Sequence, residues 1–198
     1  MKPQLGDTIL NRYTLVSSLR EEPGIQAWKA NDRVLAKDCQ LFIITDRSAF
    51  AAIDKLAGRI AATRPDRVIP ILKYRMESDV LLIVMPVDSG QCLTDYMVDT
   101  AKPLSYSAIR SIIGECADVL REVIADTPSG IVITTDTVRV TTSGVQIADA
   151  PCATMLADTS ATDLRTDGPE RYAIRQLAAL LYTLLTRCLL YTSDAADE

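Results

Sequence analysis

Between Ile44 and Ser48 the apolar residues of this chain change their period. Upstream, Cys39-Gln40-Leu41-Phe42-Ile43-Ile44 is a short, strongly apolar run of strand character. Downstream, across Ser48–Thr63, Phe50, Ile53, Leu56 or Ala57, and Ile60 recur at three and four residues, the spacing of an amphipathic helix. A strand and a helix set side by side in this way bury their apolar faces on one another, which points to an α+β architecture.

The neighbouring segments extend that pattern into a first lobe, residues 1–87. Arg12-Tyr13-Thr14-Leu15-Val16 and Ile25–Ala30 form a predicted hairpin around the turn residues Glu21-Glu22-Pro23-Gly24. Pro65 ends the helix. Two further strands, Val68–Tyr74 and Val80–Pro86, flank Glu77-Ser78-Asp79, so the lobe is expected to hold five strands and one helix.

Asp88-Ser89-Gly90 reads as a linker, and residues 88–187 are mostly helical in pattern. A short helix starts at Leu93. A longer one runs over Ser105–Ile124, with Ser105 placed to cap it and Leu104 to staple onto Ile109. Its inward face is Ile109, Ile112 or Ile113, Cys116, Leu120 and Val123. Val138–Thr141 and Val145–Ile147 form a hairpin around Thr142-Ser143-Gly144. After a polar stretch, Asp158–Pro169, a last helix over Glu170–Arg187 is expected to turn Ile174, Leu177, Leu181 and Leu184 to the core.

Composition narrows the chemistry. The 198 residues contain no histidine, which excludes Ser-His-Asp and Cys-His catalysis, histidine bases and imidazole zinc sites. Cys39, Cys92, Cys116, Cys152 and Cys188 form no C-x-x-C pair and read as small buried hydrophobes in a reducing compartment. A net charge of −5 leaves no basic footprint for nucleic acid. Met1-Lys2-Pro3-Gln4-Leu5 lacks the apolar core of a signal peptide, and Leu177–Tyr191 is short for a membrane span and interrupted by Arg187. The expected location is cytoplasmic.

The order strand, strand, strand, helix, strand, strand, linker, long helix, hairpin, polar segment, helix resembles the bilobal protein-kinase fold. Asn11-Arg12-Tyr13-Thr14-Leu15 looks like the kinase first strand, and Trp28-Lys29-Ala30-Asn31-Asp32 like the second strand and its exit. Ile83-Val84-Met85-Pro86-Val87 resembles the hinge, and Leu180–Thr186 the core helix of the large lobe. The resemblance covers roughly residues 10 to 187.

A working kinase needs glycines and a strand lysine for the phosphates, a catalytic aspartate and metal ligands. The resemblance puts the glycine positions on Arg20, Glu22 and Ile25, and the lysine on Phe42. Neighbouring Leu41, Ile43 and Ile44 supply no lysine either. Lys55 or Asp54 takes the place of the helix glutamate. The H-R-D start falls on Ser129-Gly130-Ile131, so Ile131 replaces the base. Asp136 stands at the metal-binding asparagine, and Asp149-Ala150-Pro151 at D-F-G. These two acids are vestigial magnesium candidates or, more plainly, turn carboxylates. At the start of the large-lobe helix Glu170 replaces an aspartate. The implied protein is a pseudokinase that needs neither ATP nor magnesium. The alternative is a serine/threonine kinase with residual ATP binding or activity, and an ordinary α+β interaction domain is a third reading.

Arg12–Leu15, Pro23–Asp32, Val138-Arg139-Val140, Pro151–Met155 and Ile174–Leu185 are also similar to the pseudokinase domain of actinobacterial MviN-type proteins. That family joins a lipid II flippase to a cytoplasmic pseudokinase and regulates peptidoglycan synthesis. The resemblance implies two partners, a serine/threonine kinase and a forkhead-associated domain that reads phosphothreonine. Membrane association would come only through parts of a full-length protein outside this chain. Thr159, Thr162 and Thr166, in the polar stretch that corresponds to the activation segment, are the candidate phosphosites. Residues 188–198 look like translated adapter read-through. That makes them a non-native tail behind a truncated large lobe and predicts an uncovered apolar face on Ile174–Leu185.

Overall fold

The computed structural model describes residues 3–77, 79–87, 89–99, 104–126, 131–156 and 168–186. The chain divides into two compact units, Met1–Arg64 with Ile69–Asp88, and Pro65–Val68 with Ser89–Glu198. No helix among the described residues is long and apolar enough to cross a membrane.

The first unit is a six-stranded antiparallel sheet and one helix. Its strands are β1 (Thr8–Ile9), β2 (Tyr13–Glu22), β3 (Ile25–Asp32), β4 (Lys37–Ile44), β5 (Lys73–Glu77) and β6 (Val80–Pro86), in the order β1-β2-β3-β4-β6-β5. Pro23 and Gly24 close the β2–β3 hairpin. Gly24 has φ +79, and a Cβ there would lie 2.7 Å from that of Asp46, so glycine is required twice over. β4 is buried on both faces. Leu41 and Ile43 join a cluster with Tyr13, Leu15, Trp28, Leu82 and Val84. Phe42 and Ile44 alternate to the opposite face with Ile83 and Leu81, their register partners.

Helix α1 (Phe50–Thr63) buries Phe50, Ile53, Leu56, Ala57 and Ile60, the stripe expected from the sequence. Gly58 lies under the Tyr74 hydroxyl of β5, 3.2 Å from where its Cβ would be. Arg64, in the left-handed region at φ 48, ends the helix by donating its N–H to the Ile60 carbonyl.

One ion pair locks the sheet edge. Arg12 grips Asp32 with two parallel bonds, Nε to Oδ1 at 2.9 Å and Nη2 to Oδ2 at 2.7 Å. The same carboxylate accepts the N–H groups of Val34 and Leu35, tying the start of β2 to the turn after β3. These donors, the Arg12 guanidinium first, hold the buried Asp32 carboxyl down at about 2.

The second unit comprises β7 (Gln91–Cys92), α2 (Leu93–Asp99), α3 (Tyr106–Asp126), β8 (Val138–Thr141), β9 (Gly144–Ile147), α4 (Ala153–Leu156) and α5 (Pro169–Thr186). β7, β8 and β9 form a small antiparallel sheet, and α3 packs on α5 and β9. Ser105 caps α3 as expected, its Oγ accepting the Ala108 N–H at 3.2 Å. The inward face of α3 is Ile109, Ile112, Cys116, Val119, Leu120 and Val123.

Three expectations are corrected. The sheet has six strands rather than five, because Thr8–Ile9 pairs with Tyr13–Thr14 around a tight turn whose Leu10 and Asn11 both have positive φ. The strand expected over Val68–Tyr74 is Lys73–Glu77. Pro70 has no N–H to give a ladder, and Val68 bridges Ile147 in the second unit instead. On α5 the buried residues are Tyr172, Ala173, Gln176, Leu180, Thr183 and Leu184, while Ile174 is 66% exposed and Leu181, Tyr182 and Leu185 also face solvent. Arg171 and Arg175 share the exposed side with Ile174, Leu181, Tyr182 and Leu185, so apolar residues fall on both sides and their period alone does not choose a face.

Two measurements test this picture. Ile53→Ala should cost about 2–5 kcal/mol in denaturant melts, the range for emptying a closed core site. Asp32→Asn should be less stable than the parent, with the gap widest above pH 3.8 and closing as the pH falls toward 2. A carboxyl whose folded pKa is depressed loses its contribution as it is protonated.

Candidate functional site

The positions that would carry phosphoryl chemistry occupy both units. In the first, Phe42 lies mid-strand in β4 between Ala27 and Ile83 in register, with 0% of its surface exposed. Lys55 lies on the solvent side of α1, and Asp54 is half-buried. Of the hairpin positions, Ile25 is buried against Ile44 in register, while Arg20 reaches Glu22 at 3.8 Å. The hairpin tip borders a concavity of about 560 Å³, lined in part by Glu21, Glu22, Gly24, Ile25, Ile43 and Thr45. It offers acids and apolar surface, with no cation among these side chains.

In the second unit the loop over residues 131–137 is held by its own polar groups. Thr137 Oγ1 donates to the Val132 carbonyl at 3.0 Å and accepts the Thr134 N–H at 2.9 Å. Ile131, Val132 and Ile133 are buried. Burying a backbone loop requires partners for its N–H and C=O groups, and Gln176 of α5 supplies two. Its Oε1 accepts the Ile133 N–H, and its Nε2 donates to the Ile131 carbonyl at 3.2 Å. Glu170, standing where the resemblance expects an aspartate, is exposed on the first turn of α5.

Asp136 lies near the end of this loop. Its carboxylate accepts the Thr94 hydroxyl at 2.7 Å, and its carbonyl accepts from the Arg139 guanidinium and the Cys92 thiol. The β8–β9 ladder pairs Val138 with Ile147, and the Ala148 N–H donates to the Thr137 carbonyl at 2.8 Å. Asp136 precedes β8 and Asp149 follows β9. Their environments differ. Asp136 is exposed, whereas Asp149 is 7% exposed and adopts φ 57. Among the described residues no group of three or more cysteine, aspartate or glutamate side chains is arranged to hold a metal ion.

A second polar cluster was not anticipated. Glu115 of α3 receives the Arg67 guanidinium, the Ser111 hydroxyl at 2.9 Å and the Val145 N–H at 2.8 Å. Arg67 in turn accepts the Ile147 N–H on its carbonyl at 2.7 Å, and Glu122 accepts the Asp66 N–H at 3.3 Å. Gly144 is obligatory beside this cluster. It has φ +120, and a Cβ would run into the Glu115 carboxylate and the Arg67 guanidinium. The signal for Gln176 was a lone amide within a run of apolar helix positions. The Arg67–Glu115 pairing joins residues far apart in sequence, and nothing local announces it.

Burial disfavours the thiolates. It pushes the Cys39 thiol up to about 11 and Cys116 to about 12, and raises Cys152 well above its ordinary value, so none of the three is an activated nucleophile. Thr159, Thr162 and Thr166, with Ser129, Gly130 and the tail 188–198, lie outside the described residues.

Comparison with protein-family models and with curated proteins gives no match for this chain.

Replacing Gln176 with leucine should cost on the order of 1–3 kcal/mol for each backbone group it leaves buried and unbonded. Glu170→Ala should stay within about 0.5 kcal/mol, as an exposed position does. Chemical denaturation of the two variants side by side distinguishes the anchor from the bystander.

Proposed function

We propose that this chain is a catalytically inactive, kinase-like regulatory module that works by binding rather than by phosphoryl transfer. The observation that carries this reading is Phe42. At the strand position where the resemblance expects a phosphate-binding lysine, a phenylalanine is fully enclosed between Ala27 and Ile83. A lysine there would bury an unpaired ammonium, and the phenyl ring offers a phosphate no charge. Ile131, at the expected base, is likewise a core side chain, and Lys55 points to solvent. The element order, a β-sheet with one inserted helix and then a mostly helical unit with a central hairpin, supports the kinase-like part of the reading.

ATP with magnesium does not fit the residues present. Glu21 and Glu22 at the hairpin tip repel a polyphosphate. Asp136 and Asp149 are two carboxylates in unlike settings, with Asp136 already bonded to Thr94. That both acids stand where the resemblance expects metal ligands favours one second reading, a kinase that keeps residual nucleotide binding.

Regulation by phosphate is the binding mode that the resemblance suggests. A serine/threonine kinase would modify Thr159, Thr162 or Thr166, and the added charge of nearly two, with its acceptor oxygens, would dock a forkhead-associated domain through that domain's arginines. Control of peptidoglycan synthesis from the cytoplasmic face of the membrane follows in this reading, with attachment provided by a flippase portion of the full-length protein.

Thermal denaturation with and without Mg-ATP tests the core of the proposal. A ligand at a hundred times its Kd adds about 2.7 kcal/mol to stability. No shift is expected here, and a shift of that size would favour the residual kinase. For the docking role, incubation with a cognate kinase should place phosphate on one of the three threonines by mass spectrometry. Their joint replacement by alanine should abolish capture of the forkhead-associated domain, and unchanged capture would refute the role.

A further inference from the structure

The six-stranded sheet ends on two edges of different character. β1 is two residues long and runs into a tight turn, which leaves little backbone for another strand to recognise. β5, the opposite edge, holds five residues in unbroken register with β6 and contains no proline. No strand among the described residues pairs with its outer side. Leu72, Tyr74 and Met76 alternate onto one face there, 58%, 40% and 50% exposed. Lys73, Arg75 and Glu77 occupy the other face, and Arg75 Nη2 lies 2.7 Å from Glu77 Oε1.

We propose that β5 is a self-association edge, through which two copies of this chain pair antiparallel about a two-fold axis at Arg75. The sequence Lys73-Tyr74-Arg75-Met76-Glu77 is complementary to its own reverse. This register sets Lys73 opposite Glu77 of the second copy, twice, and Tyr74 opposite Met76 of the second copy, twice. Opposite charges and aromatic–thioether contacts both stabilise cross-strand pairs. Arg75 meets Arg75 of the second copy, each already held by its own Glu77. An axis at Tyr74 would set Lys73 against Arg75 of the second copy, a repulsive pair. An axis at Met76 keeps only three strand residues in the ladder. Only the axis at Arg75 uses all five residues and both charge signs. An isologous contact of this kind closes after two copies and leaves no exposed β5 edge to propagate.

The whole chain should show a concentration-dependent monomer–dimer equilibrium in sedimentation velocity, and amide exchange over residues 73–77 should slow as the dimer fills. Lys73→Glu and Glu77→Lys should each weaken the dimer by roughly tenfold, since each places two like-charge pairs across the junction. Mixing the two variants should restore association, because both 73–77 pairs of the mixed dimer then join opposite signs. These positions lie on the outer edge, and circular dichroism verifies that each variant is folded. A monomer at every concentration, a dimer indifferent to both charge reversals, or a mixture no tighter than its components would overturn the proposal. So would a dimer that survives these changes but is lost on Leu181→Lys, which would assign association to the exposed face of α5.

Discussion

Strand β4 is buried on both faces, and most of the first unit follows from that constraint. An ordinary antiparallel strand turns one face to water, so its sequence alternates. Here Leu41, Phe42, Ile43 and Ile44 are all core residues. The sheet must therefore curl to enclose Leu41 and Ile43, and a separate element must cover Phe42 and Ile44. Helix α1 follows β4 directly and carries an apolar stripe of the right length. In the proposed reading β4 is also the strand where a phosphate-binding lysine is expected, and its Phe42 serves the core instead.

The second unit is organised by buried polar groups. Gln176 satisfies the backbone of the 131–133 loop, and Glu115 gathers Arg67, Ser111 and the N–H of Val145. Each acts where a stretch of irregular chain is enclosed, and enclosed backbone is unstable without such partners. These residues hold elements in register, and the 131–137 loop fixes its own geometry through Thr134 and Thr137.

Much of the architecture was legible in the residues. The change of period at Ile44–Ser48 located α1 and its buried face, and the Pro23-Gly24 and Thr142-Ser143-Gly144 signals located both hairpins. The cap at Ser105 and the inward face of α3 were also readable, because each rests on contacts within a few residues. Proline marked the end of α1 for the same reason. Among the candidate site positions, the burial of Phe42 and Ile131 follows from their apolar neighbours, whereas the pairing of Asp136 with Thr94 does not.

The amino-acid sequence by itself determined most of the longer strands and helices, that histidine chemistry is excluded, and that the centre of the sheet is apolar on both faces. These are properties of local spacing and side-chain type. Only the tertiary structure decided which side of α5 is buried, where β5 begins, and what residues 65–68 pair with. On α5 apolar residues stand on both sides, and the buried side is the one that carries Gln176, which bonds the 131–133 backbone. At β5 the apolar run before it reads as strand, but Pro70 and the competing bridge from Val68 to Ile147 shift the ladder downstream. In each case the deciding partner lies dozens of residues away, where no local pattern can register it.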